Sequence, residues 1–287
     1  MQYGFSIKRK CYLLSVLLMT VWLTGCVQEE FESTPSPAGN GIRFTLTVPD
    51  VNLPSVSSRT MTGTGTAKKE DEIKTVDILV FDMSKTPAVF LEWGSATGVT
   101  QDLADNSTVS FSAVLSPTTA STCIVVVANK ELDNIVSGFT KGATTKVEAM
   151  EKMLHTQTGK WLADGSTTGG YTRIPMYGEK VISKITPSMD PITGINMKRM
   201  LARIDIRNNS VTSNFTVEEV YLANYNTTGY IAPAWNTNGQ VTEPAPDTPV
   251  LPTGSGQMTE EGDAIRYSVN GNTPVSYTHL TLPTILR

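Results

Sequence analysis

A strict two-residue period governs the first segment able to carry a core. Ile42, Phe44, Leu46 and Val48 alternate with Arg43, Thr45 and Thr47. Successive side chains of a strand point to opposite faces, so this spacing predicts a half-buried strand over 41–48 and excludes a helix there. The apolar, β-branched run at 73–81 predicts a central strand, and 89–93, 108–115, 122–128 and 181–185 predict further strands. A second series opens at Lys198, where Met200, Ala202, Ile204 and Ile206 alternate with Leu201, Arg203, Asp205 and Arg207. Residues 215–225 add another strand, with a change of phase near Glu218 and Glu219 that predicts a bulge. One helix is expected around 146–155, because Val147, Met150 and Leu154 share a face. His155 then falls near its C-terminal end, where a cation suits the dipole. Between the two series, residues 186–194 carry Pro187 and Pro191 and read as a domain boundary. The expectation is a mostly β chain with one β-sandwich over 41–190 and a second over 196–274.

The start of the chain is an address. Lys8, Arg9 and Lys10 precede an apolar stretch at 12–23 that is short for a bilayer span, as in a signal peptide. It ends in Leu23-Thr24-Gly25-Cys26, which resembles the bacterial lipobox. That resemblance implies lipidation of Cys26 and removal of residues 1–25; an ordinary secretory signal containing a cysteine is the alternative. The lost segment holds those three basic residues and no acidic ones, so the net charge falls from -4 to -7. Residues 26–40 form an acidic, Pro-containing tether. Its Glu29, Glu30 and Glu32 resemble a surface-export signal of Bacteroidetes lipoproteins, or serve simply as a solvated spacer.

Composition narrows the chemistry. A net charge of -4 excludes the broad basic field of a nucleic-acid binder. Two histidines, His155 and His279, leave little for acid–base or zinc chemistry. Of three cysteines, Cys11 leaves with the signal and Cys26 is acylated, so Cys123 has no disulfide partner; it opens a buried-strand pattern as a small core residue. No catalytic, cofactor-binding or metal-ligating residue is expected. Glu218-Glu219 and Glu260-Glu261 lack a recognisable acid–base partner.

Several segments together resemble the fimbrillin family of Bacteroidetes, the lipoprotein subunits of type V pili. The carriers are Leu23 to Cys26, the strand 41–48, the Ser58-Arg59-Thr60 loop and Ile73-Lys74-Thr75-Val76-Asp77-Ile78-Leu79-Val80-Phe81-Asp82. Residues 124–129, Ile174-Pro175-Met176-Tyr177-Gly178 and Lys198-Arg199-Met200-Leu201-Ala202-Arg203-Ile204 complete the set. The resemblance implies two transthyretin-like β-sandwiches, an outer-membrane lipid anchor and polymerisation with other fimbrial subunits, identical or different. It also implies a trypsin-like protease that cuts between Arg59 and Thr60, with Lys68 and Lys69 as rival sites. Cleavage would free the first strand, leaving Ile42, Phe44, Leu46 and Val48 as the contents of a groove refilled by a donor strand.

At the other end, residues 275–284 can be written GTC TCT TAT ACA CAT CTG ACG CTG CCG ACG, which resembles a sequencing transposon adapter. Residues 275–287 are therefore expected to be non-native, the second sandwich truncated, and His279 and Arg287 without a role. Two other classes stand beside the pilus subunit. A glycan-binding surface lipoprotein would use exposed aromatics, with Trp93, Trp161 and Trp235 as candidates; a cluster on one exposed face would favour it. A secreted hydrolase lacks any Ser-His-Asp, Cys-His or metal spacing.

Overall fold

Two β-sheets share the alternating strands. In the computed structural model, residues 41–48, 71–101, 108–156, 173–206, 219–222, 226–242, 251–252, 265–268 and 275–280 are described. The first sheet orders β4 (Thr97–Gln101), β5 (Thr108–Ala113), β1 (Ile42–Thr47) and β9 (Ile192–Asn196). The second orders β10 (Lys198–Arg199), β8 (Met176–Ile182), β6 (Thr122–Ala128), β2 (Val76–Asp82) and β3 (Val89–Ser95). Ile42, Phe44 and Leu46 of β1 and Val109 and Phe111 of β5 form one core with Ile78 and Val80 of β2 and Ile124 and Val126 of β6. That is a sandwich of two sheets.

The central strands are apolar on both faces for a reason. Leu79 and Phe81 of β2 and Val125 and Val127 of β6 point away from the sandwich into a second core. There they meet Leu132 beside α1 (Asp133–Val136), and Ala149, Met150 and Met153 on and beside α2 (Lys146–Lys152). A sheet covered on both sides needs near-continuous apolar runs, which is what 73–81 and 122–128 display. Asp77 is the buried polar exception in β2. It accepts from Ser95 Oγ at 2.7 Å and from the Leu132 backbone N–H at 3.0 Å, fixing the chain into α1.

The helix differs from expectation. A capping box between Thr145 and Glu148 starts α2, and hydrogen bonds from Thr145 hold the Glu148 carboxyl below its usual value. The helix stops at Lys152, and Leu154–Thr156 form β7 instead. β7 pairs antiparallel with β13 (Thr228–Tyr230), placing His155 opposite Gly229. His155 is thus a strand residue, because a backbone ladder from residues far along the chain captures it. The buried face of α2 is Lys146, Ala149 and Met150, with Val147 only half-buried.

The stretch 186–194 also differs. β9 begins directly after Pro191 and lies parallel beside β1, so the first sandwich runs on to Asn196. Pro opens a strand readily because the lost N–H falls outside the ladder. Lys198–Arg199 then pair with β8 of the second sheet. From there β11 (Leu201–Ile206) pairs with β15 (Val275–Leu280), and β12 (Glu219–Leu222) with β14 (Ile265–Ser268), both antiparallel. Residues Ile231 and Ala232, after β13, are buried in the second core.

Candidate functional site

β1 occupies an interior slot. It pairs antiparallel with β5, from Ile42 opposite Ala113 to Thr47 opposite Thr108, and parallel with β9 on its other side. Ile42, Phe44, Leu46 and Val48 are at most 3% exposed. The Phe44 ring stacks on Phe111 at 4.9 Å and 7°. These are the four residues that the two-residue period singled out, and the structure brings them together as one row along the sandwich core. The register against β9 shifts between Phe44 and Leu46.

Where the chain is next described, at Asp71, it is fastened independently of β1. Arg199 pairs with Asp71, and Arg173 reaches Glu72 Oε1 at 3.1 Å. Gln101 bridges the same turn: its Oε1 accepts from the Ile73 N–H at 3.0 Å, and its Nε2 donates to the Asp71 carbonyl at 2.8 Å. Asn129 ties the entry to β2 to the start of β8. Its Nδ2 donates to the carbonyls of Glu72 and Ile174, at 2.8 and 2.9 Å, and its Oδ1 accepts from the Lys74 N–H. Asn129 sits at φ 59°, a left-handed position that asparagine tolerates. These bonds hold β2 whether or not the chain before Asp71 stays joined to β1.

A second polar group lies on the opposite side of β8. Lys146 of α2 is 1% exposed, and its Nζ lies 2.6 Å from Glu179 Oε2. Tyr177 Oη donates to the same oxygen at 2.5 Å. Burial, then the adjacent Glu179 charge, holds the Tyr177 phenol well above its usual value, so it stays a donor. Cys123 lies next to this group; burial pushes its thiol up to about 11, with Lys146 opposing. A thiol so placed is inert packing. Lys146 and Glu179 were not singled out in the sequence, and Tyr177 entered only within the segment 174–178. A lysine on an otherwise apolar helix face is the available signal, and its partner lies 33 residues away.

The other residues flagged by sequence are scattered. Cys26, Arg59, Thr60, Trp161, Glu218, Glu260 and Glu261 lie outside the described residues. Trp93 and Trp235 are half-buried against the second core, and Trp235 meets Tyr230 edge-to-face at 4.9 Å. They form no exposed aromatic platform. Among the described residues no group of three or more His, Cys, Asp or Glu is placed to hold a metal ion, and no helix is long and apolar enough to cross a membrane.

The model of the family described as major fimbrial subunit protein (FimA) matches residues 42–275, which begins at the first residue of β1. No curated protein matches. The chain is similar to the crystal structure of a fimbrial assembly protein from Parabacteroides distasonis ATCC 8503. Identity is 13% and the TM-score 0.37, over 84% of this chain and 86% of that one. It is also similar to a protein from the same organism assigned to cell adhesion. There the identity is 15% and the TM-score 0.47, over 86% of this chain and 72% of that one.

Proposed function

The chain belongs to the major fimbrial subunit family, and from that premise we propose that it is exported as a lipoprotein, loses its first strand to proteolysis and polymerises by donor-strand exchange. Membership makes it a subunit of surface fimbriae whose partners are other fimbrial subunits. The finer reading adds an outer-membrane anchor through Cys26 and a trypsin-like protease acting between Arg59 and Thr60. It also takes 41–190 and 196–274 as two transthyretin-like halves, with β9 added to the first. The observation that carries it is the slot of β1, an interior strand with four buried apolar side chains, joined to the rest through the segment that holds Arg59. A strand removed from that slot leaves two unpaired edges, and β-augmentation by a neighbouring subunit satisfies both.

Two outcomes test the route to the surface. Cys26→Ser is expected to shift the protein from the membrane fraction to the soluble one, because several acyl chains are needed for stable anchoring. Fractionation and labelled-palmitate uptake measure this; a variant that still pellets, beside a wild type that takes up no label, removes the anchor. N-terminal sequencing of assembled fimbriae is expected to begin at Thr60. A start at Lys69 or Glu70 moves the cut to Lys68 or Lys69, and a chain still carrying residue 27 in the polymer ends the proposal of strand removal.

A further inference from the structure

We infer that β9 is the movable wall of the β1 slot, and that Gly178 of the opposite sheet is the positioning residue that sets where this wall stands. The inference rests on the assembly reading and deepens it, since the grip on a strand, native or donated, is then set from outside the slot.

The two walls of the slot are held differently. β5 has β4 on its far side, paired from Thr97 opposite Ser112 to Gln101 opposite Val109. β9 ends the sheet, so among the described residues β1 is its one ladder partner. That ladder is short and uneven. Ile192, Ile195 and Asn196 lie opposite Phe44, Leu46 and Thr47, so β9 uses one residue more than β1 over the first step. Gly194, at φ 72°, takes up the extra residue in a left-handed conformation that glycine adopts freely. Ile192 and Ile195 therefore both turn inward, at 4% and 0% exposed. A bulged terminal strand with one partner opens before a strand paired on both sides.

What else holds β9 is β8, across the sandwich. Met176, Gly178 and Lys180 alternate onto one face of β8. Lys180 Nζ donates to the Thr193 carbonyl at the bulge. Gly178 lies under the other end of β9. A Cβ there would lie 2.7 Å from Met197 Sδ, 2.8 Å from Ile195 Cγ2 and 3.1 Å from the Asn196 carbonyl oxygen. The Met197 thioether can swing aside, because its chain is flexible. The β-branched Ile195 is stiff, and the Asn196 carbonyl is backbone, so β9 itself has to move. The residue that follows, Met197, donates its N–H to the Thr47 carbonyl at 2.8 Å. A side chain at position 178 would thus lift 195–197 off β8 and out of line with Leu46 and Thr47. The bare backbone of Gly178 keeps the parallel wall in register with whatever strand fills the slot.

Hydrogen exchange on the full chain tests this with Gly178→Ala and Lys180→Met. In Gly178→Ala the amides of 195–197 are expected to exchange roughly tenfold faster or more, within the range of coupling between distinct sites. The β4–β5 and β2–β6 ladders are expected to change only as far as global stability in urea changes. Lys180→Met, at a half-buried position, is expected to give a smaller rise confined to 192–194. A second arm uses the full chain cut once between residues 48 and 71, with β1 still bound, and an excess of labelled 41–48 peptide. Gly178→Ala is expected to speed replacement of the held strand by a similar factor. The inference is overturned if exchange at 195–197 is unchanged, or if it rises equally in every ladder, as a merely structural loss would make it. Should Gly178→Ala not fold, Lys180→Met decides, and unchanged exchange over 192–197 overturns the inference. A cut parent chain that never trades its strand counts against the assembly reading instead, and the hydrogen-exchange arm still judges Gly178.

Discussion

A chain beginning at Thr60 is expected not to hold the first sandwich on its own, and to recover it when a peptide of residues 41–48 is supplied. Ile42, Phe44, Leu46 and Val48 are all buried, and each contributes roughly 1.5–3 kcal/mol, or roughly 6–12 kcal/mol together. A whole domain is stable by about 5–15 kcal/mol, so losing the strand consumes most of the margin. The unpaired backbone of β5 and β9 adds to the loss, because buried N–H and C=O groups without partners are costly. Circular dichroism and tryptophan fluorescence would follow the recovery. Within the intact chain, Phe44→Ala is expected to cost about 3–5 kcal/mol in urea unfolding, since a stacked core ring is removed. Arg43→Ala, on the solvent side of the same strand, is expected to stay within about 0.5 kcal/mol. Equal effects at the two positions, or a well-folded chain from Thr60 without peptide, would show that β1 is dispensable.

The second large effect is expected at Lys146. Its ammonium is buried and answered by Glu179. Lys146→Met leaves the Glu179 carboxylate with Tyr177, a distant N–H and the weaker influence of the Lys198 charge. Breaking one side of a buried pair costs about 3–5 kcal/mol, and the partial exposure of Glu179 puts this case at the lower end. The double variant Lys146→Met, Glu179→Gln removes the stranded charge and keeps an acceptor for Tyr177. It is expected to recover a large part of the loss, because replacing a whole buried pair by groups of similar shape is often close to neutral. A urea-unfolding double-mutant cycle measures this; strictly additive losses would mean that the two side chains do not depend on each other.

What the sequence disclosed follows from how local each signal is. The rows of β1, β2 and β6 were legible because burial on one face or two imprints a period, or a continuous apolar run, on adjacent residues. β4 escaped because Thr97–Gln101 is a short, mostly polar edge with little burial to imprint. β9 escaped because Pro187 and Pro191 masked Ile192 and Ile195, whose parallel partner lies far back in the chain at β1. His155 was assigned to a helix because only β13, more than 70 residues later, draws β7 out of it. The Lys146–Glu179–Tyr177 group was illegible for the same reason: no spacing joins α2 to β8, and only the fold does. Of the candidate site, the four buried residues of β1 were therefore readable in advance.

On the proposed donor-strand route, the neighbours of β1 bear on the direction in which a fibre grows. β5 runs against β1 and β9 runs with it, so these two strands are antiparallel to each other across the slot. A strand entering head-first or tail-first therefore meets one antiparallel and one parallel partner in either case. The two ladders differ only slightly in strength per residue, so the backbone is nearly blind to polarity. Side-chain shape has to supply the vector. The stacked ring of Phe44 on Phe111 and the break in register before Leu46 make the slot asymmetric from end to end. Subunits would line up in one sense because a strand reversed about Thr45 puts its largest side chain opposite Val109 instead of stacked on Phe111, and exchanging residue sizes along that strand is the handle for stalling or inverting growth.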